Sequence, residues 1–166
     1  MSYNTKAVKK APKDTKDLTD KKYKDKLAIP DPSESGTALD LLSIKVNNEG
    51  DKAWDEYKAL KDNGMHMAGA NKPALQSVIK GENDVVYGGV DYMVYKAKAK
   101  GEPVDISYPE SGTAISPRPA FILKSSEHKE AAKAYMDYVT SKKGQKEVDD
   151  LSLIHISEPT RQEAIS

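Results

Sequence analysis

The chain of 166 residues contains no cysteine. It therefore has no disulfide framework and no thiolate metal site. No apolar run approaches the length that a membrane-spanning helix requires. Lys and Arg number 26 and Asp and Glu number 26, so no net charge favours nucleic acid or an acidic membrane surface as a partner.

Signatures of catalysis are also missing. The three histidines, His66, His128 and His155, have no metal-ligand spacing. The chain lacks a phosphate loop ending in Gly-Lys-Ser/Thr, and Ser111-Gly112-Thr113 has no glycine two residues before its serine, as a nucleophile elbow requires. We therefore expect no catalytic residue, no resident metal and no cofactor. A small freestanding α/β enzyme acting on a phosphorylated substrate stays open as the alternative.

Apolar runs of strand length alternate with segments of helical periodicity. Strands are predicted at 26–30, 65–68, 84–87, 104–108 and 120–123. Helices are predicted at 37–47, from a cap at Asp51 to Asn63, from Pro73 to Gly81, at 92–100, and in one long stretch at 126–142 that Gly144 follows. The second helix is expected to bury Trp54, Tyr57 and Leu60. This alternation predicts an α/β sandwich with a mostly parallel sheet.

The segment from Ile29 to Ala38 has the composition of a strand that turns into a helix. Pro30 and Pro32 stop regular pairing, and Ser35, Gly36 and Thr37 precede an apolar helical run. Free backbone N–H groups and the positive end of the helix dipole make such a turn suitable for an anion. A plain helix cap is the alternative interpretation.

Several short motifs follow one another between residues 3 and 150. They are Tyr3-Asn4-Thr5, Asp17-Leu18, Tyr23 to Ile29, Ser35-Gly36-Thr37-Ala38, Gly81-Glu82, Gly101 to Val104, Pro109 to Thr113, Ala120 to Lys124, and Ala131 to Gln145. In this order they resemble the iron/phosphonate/sugar-phosphate type of ABC-transporter solute-binding protein. The resemblance implies an incomplete lobe of the type 2 periplasmic-binding fold, with three α/β/α layers around a mostly parallel sheet.

The resemblance also implies how the chain is divided. Residues 1–114 correspond to part of the second lobe, and residues 115–150 to a strand and a helix that return to the first lobe. The crossings between lobes fall near Tyr3-Asn4 and near residues 111–117. We expect the apolar face of the last helix to lack its partner. No signal peptide follows Met1, so we expect the front of the gene to be missing.

The last sixteen residues break the family pattern after Asp150. Leu151 to Arg161 matches the in-frame translation of a transposase-type sequencing adaptor, and the following residues match its index. We therefore expect residues 151–166 to be an artefact with few contacts and no role in function. A genuine amphipathic tail built on Leu151, Leu153, Ile154 and Ile156 is the alternative.

For the site, the resemblance implies an anion held between lobes. Ser35, Gly36 and Thr37 would contact the anion, and the loop from Tyr87 through Gly88 and Gly89 to Asp91 and Tyr92 would contact the rest of the ligand. Ferric members place two adjacent tyrosines in this loop, whereas this chain has Asp91-Tyr92, so Tyr92 would be a metal ligand only for a ferric solute. A carboxylate suits an amine or sugar hydroxyls better. Aromatic packing of Tyr87 and Tyr92 and a simple Gly88-Gly89 turn are the alternatives.

The implied function is that of a receptor for a small anionic solute, either a phosphonate, a sugar phosphate or a ferric complex. Its expected partners are an ABC permease and ATPase, and nucleic acid is not among them. The expected location is extracellular or periplasmic, as a lipoprotein or a free protein. Contact with the membrane would occur only through a missing anchor or the permease.

Overall fold

The computed structural model describes residues 1–115 and 120–152. The chain divides into two compact units, Met1–Ser116 and Pro117–Ser166. Each unit is described by itself.

The first unit is a five-stranded sheet with helices on both faces. Its strands are β1 (Ser2–Asn4), β2 (Leu27–Ile29), β3 (His66–Met67), β4 (Val85–Val86) and β5 (Val104–Ile106). Its helices are α1 (Gly36–Glu49), α2 (Asp51–Asp62), α3 (Asn71–Lys80) and α4 (Asp91–Ala99), and two short 3₁₀ helices span Thr15–Thr19 and Lys21–Tyr23. The alternation of strands and helices confirms the predicted α/β class.

The strand order across the sheet is β3-β2-β4-β1-β5. Strand β2 pairs in parallel with β3 and β4, whereas β1 pairs antiparallel with both β4 and β5. Four strands therefore run in one direction and β1 alone runs in the other. The prediction of a mostly parallel sheet is confirmed.

Each face of the sheet carries its own apolar core. The period-2 alternation of strand side chains sends Leu27 and Ile29 to one face and Ala28 to the other. The first face packs with the 3₁₀ segments and α2 through Leu18, Tyr23, Leu60, Val85 and Tyr87. The second packs with α3 and α4 through Ala74, Leu75, Val78, Val86, Val94 and Val104. Because β2 is buried on both sides, its run of apolar residues is typical of a central strand.

Two details of α2 differ from the sequence prediction. Gly50, with φ of +58°, occupies the N-cap position, and Asp51 is the first helical residue instead of the cap. Trp54 is 53% exposed, although we expected it to be buried. The helix buries Ala53 and Leu60, seven residues apart, and this spacing turns Trp54 away from the sheet.

The second unit contains α5 (Lys129–Thr140) and α6 (Lys142–Ser152). The strand predicted at 120–123 is absent, and Phe121 and Leu123 are 75% and 62% exposed. A strand forms only when a neighbouring strand accepts its hydrogen bonds, and the described part of this unit has no second strand.

The single long helix predicted at 126–142 is also wrong. Ser141 adopts an extended conformation, and its hydroxyl donates to the carbonyl of Tyr138 and accepts the N–H of Gly144 at 3.1 Å. It therefore ends α5 and caps α6. Gly144 lies inside α6, where any side chain would collide with the Tyr138 carbonyl oxygen. Helix α5 buries no residue, and Tyr135 on it is 67% exposed.

Most of the predicted tail lies outside the described residues, which stop at Ser152. The expectation that residues 153–166 make few contacts therefore stays a prediction. Among the residues that are described, no helix combines the length and apolar character that crossing a membrane requires.

Candidate functional site

The candidate site lies at one edge of the sheet in the first unit. Strands β2, β4 and β5 run in the same direction, so their carboxyl ends meet at this edge. The loops that follow them lead to Ser35, to Asp91 and to Tyr108. Strand β1 runs the opposite way and begins at the same edge with Ser2, which pairs with Val86 and Ile106. In open α/β sheets, ligands bind outside the carboxyl ends of the strands.

Ser35 is the N-cap of α1. Its hydroxyl accepts the backbone N–H of Ala38 at 3.1 Å and donates to Oδ1 of Asn71 at 2.8 Å. The residue is only 2% exposed. The hydroxyl therefore both donates and accepts a hydrogen bond inside the protein. For Ser35, the geometry fits the interpretation as a plain helix cap.

Gly36 and Thr37 form the start of α1. As the first two helical residues, they have backbone N–H groups for which the helix supplies no acceptor. Helix α1 has no acidic residue in its first turn, Gly36 is exposed and Thr37 is half-buried. This helix end is therefore open to an anion, which the helix dipole attracts.

Gly88 and Gly89 have structural reasons to be glycine. Gly88 has φ of +76°, a conformation that residues with side chains rarely adopt, and a Cβ there would lie 2.9 Å from Cδ2 of Leu41. A Cβ on Gly89 would lie 2.8 Å from Oγ of Ser2. The turn interpretation therefore accounts for both glycines, and the tight turn brings the start of α4 close to β1.

Tyr87 is part of the core. It is 3% exposed, and its ring lies 6.0 Å from that of Tyr57 in a tilted arrangement. Burial, followed by the neighbouring Tyr57, raises the pKa of the Tyr87 phenol. A phenolate at this position is therefore costly, and the packing interpretation fits Tyr87 better than ligation.

Asp91 and Tyr92 begin α4 at the site edge. Oδ1 of Asp91 accepts the backbone N–H of Tyr92 at 2.7 Å, and Oδ2 accepts the Tyr108 hydroxyl at 3.3 Å. Asp91 is half-buried and Tyr92 is 37% exposed. Asp91 thus presents a carboxylate on the same sheet edge as the start of α1.

Two residues of this edge were missed in the sequence. Tyr108 follows β5, and Tyr95 lies four residues after Asp91 on α4, with its hydroxyl 3.3 Å from that of Tyr108. The spacing Asp91-Tyr95 places both on one face of a helix. Together with the rule that parallel strands end at one edge, this spacing could have identified both tyrosines.

The arrangement suits an anion that also carries hydrogen-bond donors. The start of α1 attracts negative charge, whereas Asp91 repels it and accepts hydrogen bonds from hydroxyl or ammonium groups. Within the described ranges, no cluster of three or more His, Asp or Glu side chains is arranged to hold a metal ion.

Comparison with known proteins shows the family. Residues 1–160 match the profile of the family described as bacterial extracellular solute-binding protein, and the chain belongs to this family. The description of this family is that of proteins that bind solutes.

Individual relatives agree with this assignment. An uncharacterised protein of Haemophilus influenzae is 31% identical over 153 residues, which are 89% of this chain and 44% of that protein. The periplasmic binding protein AfuA of Actinobacillus pleuropneumoniae, solved with fructose 6-phosphate, is 30% identical, with a TM-score of 0.71 over 91% of this chain and 49% of AfuA. Iron-bound HitA of Pseudomonas aeruginosa is 25% identical, with a TM-score of 0.65 over 90% of this chain and 50% of HitA. The chain therefore spans about half the length of these relatives, and the comparison of structures confirms the predicted periplasmic-binding-protein lobe.

Proposed function

We propose that this chain is part of an extracellular or periplasmic receptor for a small phosphorylated solute that carries hydroxyl or amino groups. The receptor delivers the solute to an ABC permease and its ATPase. The observation that carries the proposal is the juxtaposition of two groups: the open N-terminus of α1 and the Asp91 carboxylate follow neighbouring parallel strands.

In the proposed complex, the phosphate or phosphonate group binds the N–H groups of Gly36 and Thr37 and the Thr37 hydroxyl. Charge-assisted hydrogen bonds of this kind are stronger than neutral ones. Ser35 holds the helix start in place through its cap. The Asp91 carboxylate accepts hydrogen bonds from the remainder of the solute, and Tyr92 flanks it.

The Asp91 carboxylate favours some of the candidate solutes, which are phosphonates, sugar phosphates and ferric complexes, over others. A carboxylate repels a bare phosphate and favours a ligand with donors, such as a sugar phosphate or an aminophosphonate. The likeness to AfuA, whose structure holds fructose 6-phosphate, supports the sugar phosphate. The likeness to iron-bound HitA supports a ferric complex as the alternative solute. Tyr92 would then be the metal ligand, because Tyr87, the other phenol of the loop, is buried.

We further propose that residues 1–114 form the second lobe of the receptor and that residues 115–150 belong to its first lobe. In bilobed receptors a hinge closes the two lobes over the ligand. The lobe seen here would supply the contacts from α1 and α4, and the other lobe would complete the enclosure.

The test is an NMR titration of the ¹⁵N-labelled chain with inorganic phosphate, fructose 6-phosphate and ferric citrate, each to millimolar concentration. We expect phosphate to shift the amide signals of Gly36 and Thr37, and fructose 6-phosphate to shift these and those of Asp91 and Tyr92. Loss of the Asp91 and Tyr92 signals with ferric citrate alone, through paramagnetic broadening, would favour iron instead. A chain whose site amides respond to none of the three probes would contradict the proposal.

A further inference from the structure

We infer that Tyr108, supported by Tyr95, is a positioning residue that holds the Asp91 carboxylate toward the hydroxyl or amino group of the solute. The inference rests on the proposed function and assigns roles to two residues that no motif in the sequence marks. The carrying observation is the chain of three polar groups at the site edge, in which Tyr95, Tyr108 and Asp91 are linked by two contacts of 3.3 Å.

The direction of the hydrogen bonds follows from the chemistry of the groups. An ionised carboxylate only accepts, so the Tyr108 hydroxyl donates to Oδ2 of Asp91. A phenol has a single proton to donate, so the Tyr95 hydroxyl donates to that of Tyr108. This chain of hydrogen bonds, which we call the relay, therefore runs from Tyr95 through Tyr108 to Asp91. It requires both phenols to be protonated. A phenol is protonated at neutral pH even without a shift, and burial, followed by the contacts to Tyr95 and Asp91, raises the pKa of Tyr108 further.

Both oxygens of Asp91 are restrained from different elements. The backbone of α4 holds Oδ1 through the Tyr92 N–H at 2.7 Å, and the segment after β5 holds Oδ2 through Tyr108. Rotation of the carboxylate would break both contacts. Each oxygen still has a lone pair available, because a carboxylate offers about four acceptor sites.

These restraints determine which part of a solute the residue can recognise. An Asp91 carboxylate with two fixed donors already in place accepts further hydrogen bonds in a narrow range of directions, so it selects a hydroxyl or ammonium group at a set distance from the phosphate. Tyr108 remains 48% exposed, so a solute can approach the relay. A group held in advance in its bound orientation gains affinity because less ordering is required on binding.

One basic side chain of α4 is already paired with another carboxylate. Lys98 contacts both carboxylate oxygens of Asp105 at 2.9 Å. The two donors to Asp91, the Tyr92 N–H and the Tyr108 hydroxyl, are both neutral. The Met1 ammonium is near enough to feel the charge of Asp91, but it donates to the Ser107 carbonyl oxygen. Lone pairs of Asp91 therefore remain available to a donor group of the solute.

The experiment compares Tyr108→Phe and Tyr95→Phe in the 166-residue chain, with Tyr135→Phe in α5 as a matched control. Dissociation constants for fructose 6-phosphate and inorganic phosphate are measured by NMR titration, and urea unfolding checks that each variant is folded. We expect Tyr108→Phe to raise the dissociation constant of fructose 6-phosphate by about 3- to 10-fold, which is equivalent to roughly one hydrogen bond. The dissociation constant of inorganic phosphate should not change. Tyr95→Phe should act in the same direction by a smaller factor, and Tyr135→Phe should change neither constant.

The outcomes separate this inference from the proposed function. If the unmodified chain binds fructose 6-phosphate and Tyr108→Phe binds it equally well, the inference is wrong and the proposed function stands. If Tyr108→Phe weakens both ligands to the same extent, the tyrosine is merely structural and the inference is again wrong. If the unmodified chain shows no response of Asp91 and Tyr92 to fructose 6-phosphate, the proposed function fails and the inference fails with it.

Discussion

The hydroxyl of Ser35 donates a hydrogen bond to Oδ1 of Asn71 over 2.8 Å. Ser35 precedes α1 and Asn71 begins α3, and these helices cover opposite faces of the sheet. The bond therefore fastens the starts of two helices across the sheet edge that carries the candidate site. The same hydroxyl also caps α1, so one buried side chain determines where the first N–H groups of α1 lie.

We expect Ser35→Ala to lower the free energy of unfolding by about 1–2 kcal/mol, because the cap is lost and the Ala38 N–H and the Asn71 side chain lose their partner. Urea unfolding followed by circular dichroism measures this change. Ser43→Ala, in the exposed middle of the same helix, is the control and should be neutral or slightly stabilising, since alanine is the better helix former. Equal effects of the two substitutions would show that the cap contributes nothing.

A second prediction concerns Gly89 and Ser2. Gly89→Ala should destabilise the first unit, because the new methyl group would lie 2.8 Å from the Ser2 hydroxyl. Ser2→Ala alone should be neutral or stabilising, since the Ser2 hydroxyl is buried and has no hydrogen-bond partner among the described residues.

A double-mutant cycle tests this relationship. The pair Ser2→Ala and Gly89→Ala should recover part of the stability that Gly89→Ala loses, giving a coupling of about 0.5–3 kcal/mol. Gly36→Ala is the matched control, since a Cβ there meets nothing within 4 Å. Strictly additive effects of the two substitutions would mean that the Gly89 turn is constrained by something other than Ser2.

The sequence was sufficient to predict the α/β class because the period of its apolar residues changes clearly between strands and helices. It also placed Gly81 correctly at the end of α3 and Pro73 in its first turn, which begins two residues earlier at Asn71. It failed where the result depends on a distant partner. Ala120 to Leu123 reads as a strand, yet no strand is available for it within the described part of its unit.

The candidate site was predictable to a similar extent. The turn at Ser35 was recognisable because a helix cap involves residues that are close in sequence. The hydrogen bond from the Ser35 hydroxyl to Asn71 could not be predicted, because only the fold brings these two residues together. The burial of Tyr87 against Tyr57 and the relay through Tyr108 and Tyr95 join residues that are far apart in sequence. Helical spacing relates Tyr95 to Asp91, but periodicity alone pairs neither of them with Tyr108, nor Tyr87 with Tyr57.

A third prediction concerns alkaline pH. Burial raises the pKa of Tyr87 above the value of about 10 that a tyrosine has in an unfolded chain. The protonated phenol therefore contributes stability that is fully present below pH of about 10 and is lost as the pH rises further, because only the unfolded chain then ionises readily.

Urea midpoints at pH 8 and pH 11 measure this contribution. The unmodified chain should lose more stability between the two values than Tyr87→Phe, which has no phenol to ionise. Tyr135→Phe serves as the control, because Tyr135 is 67% exposed, and it should lose as much as the unmodified chain. A Tyr87→Phe variant with the same pH dependence as the unmodified chain would show that Tyr87 ionises freely in the folded state.

The last prediction separates anion binding from helix capping within one motif. Ser35, and not Thr37, caps α1 through its side chain, so the Thr37 hydroxyl is not needed for the cap. We expect Thr37→Ala to leave the melting temperature nearly unchanged and to lower the affinity for phosphate by about 10-fold or more. This factor corresponds to the loss of one hydrogen bond to a charged group, which contributes about 1.5–3 kcal/mol. Ser35→Ala should show the opposite balance, with a lowered melting temperature as its main effect. NMR titration and thermal unfolding of both variants give the two quantities side by side. If Thr37→Ala lowers the melting temperature and leaves phosphate binding intact, the motif is only a helix cap and the proposed anion site at α1 is wrong.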